Sequence, residues 1–215
     1  MGGFISRQTV DLDARKYIRL ATNGVLAFRF RGLNSWGDYP SYLYSGGNSE
    51  LRGYHYLEFL GNKAFFANAE LRFPLIEAAL TPLGVVGGLR AVAFADFGAS
   101  QFAGNKLTLY SRESVPVSPI IDYTQNPFTG VVTPVYGNPF VVNGFHLVDG
   151  RASYGLGLET FALGFPIHFD WAWRTLMNKG WEDYIYSYDA AIDGVSSGSK
   201  WLRRPKFSIW IGYDF

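Results

Sequence analysis

The sequence predicts an all-β protein: an antiparallel transmembrane β-barrel, with seven to nine strands in this chain, forming a whole barrel or part of a larger one. Three observations carry the prediction. The last nine residues, Phe207-Ser-Ile-Trp-Ile-Gly-Tyr-Asp-Phe215, alternate strictly. Phe207, Ile209, Ile211, Tyr213 and Phe215 fall on one face, and Ser208, Trp210, Gly212 and Asp214 on the other, which describes a two-faced strand. The connections between such segments alternate short and long, the rhythm of periplasmic turns and external loops in an outer-membrane barrel. The faces opposite the apolar ones gather too many charges for the dry core of a small domain, whereas a hydrated lumen accepts them.

Residues 9–20 open the series. Val10, Leu12, Ala14, Ile18 and Leu20 share a face, with Asp11, Asp13, Arg15, Tyr17 and Arg19 opposite. Lys16 interrupts the apolar face, where it can snorkel at an interface. Thr22-Asn23-Gly24 signals a tight turn into residues 25–33, which set Leu26, Phe28 and Phe30 against Arg29 and Arg31. Residues 34–62 read as a long Gly/Tyr/Ser-rich loop. Residues 63–75 alternate again, with Phe65, Ala67, Ala69, Leu71 and Phe73 outward and Asn68, Glu70 and Arg72 inward. A short connection over 76–88 leads to 89–98, where Arg90 and Asp96 share a face with Val92 and Phe94.

Residues 99–149 form a long Pro-rich connection, with room for an extra hairpin around 131–147. Residues 151–161 place Tyr154, Leu156 and Leu158 outward and Ser153, Gly155, Gly157 and Glu159 inward. A minimal turn at Leu163-Gly164 joins them to 166–174, where Ile167, Phe169, Trp171 and Trp173 oppose His168, Asp170 and Arg174. Loop 175–204 precedes the closing strand. In this reading residues 1–215 are one barrel domain or the C-terminal part of one, with external loops 34–62, 99–149 and 175–204.

Composition agrees. Aromatics make up 18% of the 215 residues, with 14 Tyr, 18 Phe and 6 Trp, and there is no Cys. The mean hydropathy of +0.01 suits a barrel whose strand residues are half polar. No apolar run approaches the ~18 residues of a spanning helix. A formal net charge of +1 argues against nucleic acid as a partner. The N-terminus lacks the basic region, apolar core and cleavage site of a signal peptide, so the expectation is a mature chain or the C-terminal part of a longer one. A soluble β-barrel binding a small ligand is the competing fold.

No chemistry is expected. Gly194-Val-Ser196-Ser-Gly198 matches the nucleophile-elbow pattern, but no helix pattern follows it. His55, His146 and His168 have no metal-ligand spacing. Glu182 and Asp183 are adjacent rather than facing. Gly155-x-Gly157 reads as strand glycine where contents press close. Catalytic residues, metal and cofactor are therefore none.

Several segments, in order, resemble the C-terminal barrel of the bacterial surface antigen family, the BamA-like outer-membrane assembly and translocation proteins. They are Gly46-Gly-Asn-Ser-Glu-Leu51-Arg52-Gly53-Tyr54, Asn68-Ala-Glu70-Leu-Arg72-Phe-Pro74 and Phe94-Ala-Asp96-Phe-Gly98. Tyr154-Gly-Leu-Gly157, Gly164-Phe-Pro-Ile-His-Phe-Asp170 and Gly212-Tyr-Asp-Phe215 fit its closing strands. The resemblance covers about residues 9–215. It implies a place in the bacterial outer membrane and work in protein insertion or translocation. Its partners would be the lipid bilayer, other outer-membrane or periplasmic subunits, and unfolded outer-membrane proteins. It implies that the Leu51–Tyr54 loop tucks into the lumen, with Arg52 meeting Asp96 first and Glu70 second, beside Arg72. Ile211, Gly212, Tyr213 and Phe215 would carry a C-terminal strand signal. The chain departs from the family in strand number, since family barrels usually have sixteen strands and follow periplasmic repeat domains. A fragment, a reduced barrel that serves as an anchor or complex subunit, and a self-associated composite barrel all fit that departure.

Overall fold

The computed structural model describes residues 6–20, 23–81, 84–162, 165–192 and 203–213. Its elements in chain order are β1 (Arg7–Arg19), β2 (Val25–Gly37), β3 (Leu43–Ser45), β4 (Phe59–Gly61), β5 (Lys63–Thr81), β6 (Gly84–Gln101), β7 (Tyr110–Ser111), β8 (Val115–Val117), β9 (Ile120–Gln125), β10 (Val132–Tyr136), β11 (Phe140–Val142), β12 (His146–Leu147), β13 (Gly150–Ala162), β14 (Phe165–Thr175), α1 (Lys179–Ile185), α2 (Ser187–Ile192) and β15 (Lys206–Ile211). No helix among the described residues is long and apolar enough to cross a membrane, which says nothing of strands.

The chain divides into two compact units. The first comprises Met1–Leu107, Asp149–Arg174 and Pro205–Phe215; the second comprises Thr108–Val148 and Thr175–Arg204. The first unit is a seven-stranded sheet in the order β1-β2-β5-β6-β13-β14-β15, and no pairing joins β1 to β15 among the described residues. Register follows the alternation. Ala14 pairs with Phe30 and Asp13 with Arg31 across β1 and β2, and Asn68 pairs with Asp96 across β5 and β6. One face is therefore apolar apart from Lys16, which pairs with Phe28. Val10, Leu12, Phe28, Phe30, Leu71, Phe73, Tyr154, Leu156, Phe207, Ile209, Ile211 and Tyr213 are all exposed on it. Surface of that chemistry and extent marks contact with lipid or protein.

The opposite, inner face carries the charges and is where the unit's buried polar side chains gather, among them Asn68, Glu70, Asp96, Ser153, Glu159, His168 and Asp170. Asp13 accepts from Arg15 and Arg29, and Arg31 donates to Asp11. Glycines make room here. A Cβ at Gly155 would collide with Phe94 and the Trp171 carbonyl, and one at Gly157 with the Asp170 carboxylate. Against the sequence-based expectation, what crowds these glycines is the sheet's own neighbouring side chains and backbone.

The expected boundaries change in three places. The 76–88 connection is largely strand: β5 and β6 keep pairing to Thr81↔Gly84, past a bulge between Pro74 and Ile76. A bulge absorbs Leu75 and lets the ladder resume beyond proline. Loop 34–62 contains the end of β2 and the β3–β4 ribbon, which pairs Leu43 with Gly61 and Ser45 with Phe59. The 99–149 connection starts with the end of β6. It then runs out and back as one long irregular hairpin, in which β7, β8 and β9 pair with β12, β11 and β10. The expected 131–147 hairpin is thus the returning arm of this larger one.

The second unit adds two helices where a plain loop was expected. Asn178 caps α1 by accepting from the Trp181 amide, the usual role of an N-cap side chain. Glu182 accepts from the Leu176 amide and the Thr175 hydroxyl. Trp181 is buried against His146, with ring centroids 4.5 Å apart, and its indole donates to the Leu147 carbonyl. His146 and Glu182 are thus core groups of this unit. Gly194–Gly198 lies outside the described residues.

Candidate functional site

The β3–β4 ribbon closes the base of a loop, residues 46–58. Its first turn uses Gly46 and Gly47, both at positive φ, which glycine adopts without steric cost. The Gly46 amide donates to the Glu50 carboxylate, and the Glu50 amide to the Gly47 carbonyl. Burial lifts the Glu50 carboxyl above the usual carboxylate range. This compact turn delivers Leu51, Arg52, Gly53 and Tyr54 onto the inner face.

Arg52 is the centre of the contact. Its Nε donates to Asp96 Oδ2 at 2.8 Å and its Nη2 to Asp96 Oδ1 at 2.7 Å, a bidentate fork, while its backbone amide also donates to Oδ2 at 3.1 Å. Its Nη1 lies 2.8 Å from Glu70 Oε1. Glu70 also holds Arg72, at 2.6 Å. Side-chain exposures of 3% for Arg52, 5% for Glu70 and 0% for Asp96 put this network out of water, where the planar guanidinium needs such partners. The Phe94 ring covers it, 3.6 Å from centroid to Arg52 Cζ, a cation–π contact in a desolvated place.

The flanking residues fix the loop. Leu51 packs on Gly98, where a Cβ would stand 2.8 Å from Leu51 Cδ1. Gly53 has φ +85, and a Cβ there would stand 3.1 Å from Ala172 Cβ. The Tyr54 hydroxyl donates to the Ala152 carbonyl at 3.0 Å, and its ring meets Phe59 edge-on. Leu51, Arg52, Gly53 and Tyr54 thus touch four strands, β5, β6, β13 and β14.

Three participants in the Arg52–Asp96 network escape sequence reasoning. Asn68 donates to Asp96 Oδ1 at 2.9 Å and to the Glu50 carbonyl. Ser153 donates to Asp96 Oδ2 at 3.4 Å, and Phe94 stacks as described. Asn68, Asp96 and Ser153 form one cross-strand row. Alternation puts each of them on the inner face, but only register makes them neighbours.

A second cluster ties the last strand. Trp210 stacks on His168, with centroids 3.7 Å apart and planes 4° apart, and its indole donates to Asp170 Oδ2 at 2.7 Å. His168 Nε2 lies 2.9 Å from the Gly212 carbonyl; since a carbonyl only accepts, the proton sits on Nε2. Of the expected C-terminal signal, Ile211 and Tyr213 are exposed on the apolar face, the Gly212 amide donates to the Pro166 carbonyl, and Phe215 lies outside the described residues. No group of three or more His, Cys, Asp or Glu side chains among the described residues could hold a metal ion.

An antiparallel sheet with an apolar outer face, a charged inner face and a loop pinned inside by a buried arginine defines a class: the wall of an outer-membrane β-barrel with an inserted loop. The comparison with protein families agrees. The model of the Omp85 superfamily domain matches residues 2–215, and the chain belongs to that superfamily. No curated protein and no solved structure matches the chain significantly. The superfamily is one of outer-membrane assembly and translocation, whose members work in the bacterial outer membrane with other subunits and substrates.

Proposed function

We propose that this chain serves in the outer membrane as barrel wall for the insertion or translocation of other outer-membrane proteins, and that the 46–58 loop braces its interior. Superfamily membership supports the direction of the reading. The observation that carries the loop's role is the Arg52 fork: one side chain, buried, joins a loop to carboxylates on two adjacent strands. The work is mechanical and needs no nucleophile, metal or cofactor. Its partners are the bilayer, neighbouring outer-membrane or periplasmic subunits, and unfolded clients that expose apolar strands.

One observation favours a second reading, a wall that only anchors a complex. Arg52 is bonded through its amide and all three guanidinium nitrogens, and a loop so fully bonded resists movement. The two readings separate in proteoliposomes. An unfolded outer-membrane barrel protein is diluted from urea onto liposomes with or without the full chain, and its folding is followed by heat-modifiable gel migration. The insertase reading expects faster folding with the chain present and a loss of that gain in Arg52→Ala. Equal rates with and without the chain would leave the anchor reading standing.

A further inference from the structure

The β5–β6 hairpin outruns its neighbours. The β2 pairing ends at Val25↔Arg72 and the β13 pairing at Phe161↔Gly87, whereas β5 and β6 continue to Thr81↔Gly84. The step leaves a notch of about 420 Å³ beside the β1–β2 turn. Its polar lining is Tyr17, Asn23, Arg72 and Arg90, its apolar lining includes Phe73 and Pro74, and no carboxylate is part of it among the described residues.

The notch has a cationic bias. Glu70 divides one negative charge between Arg52 and Arg72. Arg90 Nη1 lies 3.2 Å from Glu159 Oε1, and the Arg90 side chain stays 53% exposed. Arg19 adds a third guanidinium in the same cross-strand row as Arg72, since Arg19 and Arg72 both pair with Val25. The lining itself carries two guanidinium groups, Arg72 and Arg90, and no carboxylate among the described residues. Arginines on separate strands, with a phenol and an amide in the same lining, offer donors from several directions, which suits a tetrahedral oxyanion better than a planar one.

The geometry points to a phosphate-binding site in this notch, with Arg90 and Arg72 as the charged donors and Tyr17 and Asn23 as neutral ones. Free phosphate and a phospholipid headgroup share that chemistry. Exposed Leu75 and Ile76, next to Phe73 in the chain, give an apolar surface on which the acyl chains of a lipid would lie.

The experiment uses the full chain folded in dodecyl maltoside, with retained folding checked by circular dichroism for every variant. One arm titrates inorganic phosphate by calorimetry. The other mixes phosphatidylglycerol and phosphatidylcholine and counts retained lipids by native mass spectrometry. Loss of one charge-assisted donor weakens binding about tenfold or more. Retention of phosphatidylglycerol over phosphatidylcholine, weakened by that factor in Arg90→Gln and partly restored in Arg90→Lys, supports the site with lipid as its source. Saturable phosphate binding with the same variant pattern, without lipid preference, supports it with free phosphate as the source. Tyr17→Phe should weaken either by a smaller factor. Absence of both signals, or equal weakening by Arg203→Gln in the second unit, overturns the proposal.

Discussion

Arg52→Ala tests the pinned loop most directly. The substitution removes three of the four donors that hold the loop to Asp96 and Glu70, leaving the backbone amide. It strands two carboxylates at a place with almost no water. Removing one partner of a buried ion pair costs about 3–5 kcal/mol. Glu70 retains Arg72, and Asp96 retains Asn68 and Ser153, so the lower end of that range applies. At about 1.4 kcal/mol per tenfold, the undocked population of the loop rises about a hundredfold. Proteolysis that samples a rapidly opening segment tracks this population. Tyr54 is buried and Tyr56 fully open, so the informative reading is chymotryptic cleavage after Tyr54, mapped by mass spectrometry and normalised to cleavage after Tyr56. Arg52→Lys should fall between the two, as an ammonium cannot reproduce the fork. In the Arg52→Ala/Asp96→Asn pair one of the two stranded charges is gone, and cleavage should fall back part of the way. Tyr54 cleavage within twofold of the parent in a folded Arg52→Ala protein would refute the reasoning.

Gly53→Ala should also raise Tyr54 cleavage, because a Cβ is strained at φ +85 and meets Ala172 and Arg174; a cost of about 1–3 kcal/mol is expected, and an unchanged rate would show that the loop can shift to admit it. Trp210→Phe keeps a ring over His168 but removes the donor to Asp170. A loss of about 1–3 kcal/mol, read as a lower melting temperature in detergent, is expected, with no change counting against the latch on β15. Deleting Phe215 should reduce recovery of the chain in the outer-membrane fraction of expressing cells, and normal recovery would count against a terminal-strand signal.

Much of the first unit is legible in its alternation, because a strand that separates two solvents must write both into its sequence with period two. Val10 and Leu12 against Asp11 and Asp13, or Trp171 and Trp173 against Asp170 and Arg174, leave one choice of face. What alternation lacks is register, which is why Asn68, Phe94 and Ser153 are assigned to a face without being recognised as members of the Arg52–Asp96 network. It also fails where neither face is polar. Ile76-Glu-Ala-Ala-Leu80 and Val85-Val-Gly-Gly88 carry one charge between them and follow Pro74, so they read as a connection although β5 and β6 keep pairing there. The helices of the second unit are illegible for a different reason. Seven and six residues are too few to show a 3.6-residue period or to hold together alone, and α1 depends on Asn178 and on the burial of Trp181.

The directions of the strands have a consequence of parity. Each pairing described along the sheet is antiparallel. The two residues between β13 and β14 suffice only for an antiparallel return. Seven alternating strands therefore leave β1 and β15 pointing the same way. Were these two edges to meet, the seam would be parallel, and a second copy lying in the same sense in the membrane would repeat the mismatch at both of its junctions. A wall that is antiparallel all the way round takes an odd number of further strands, whichever chain supplies them.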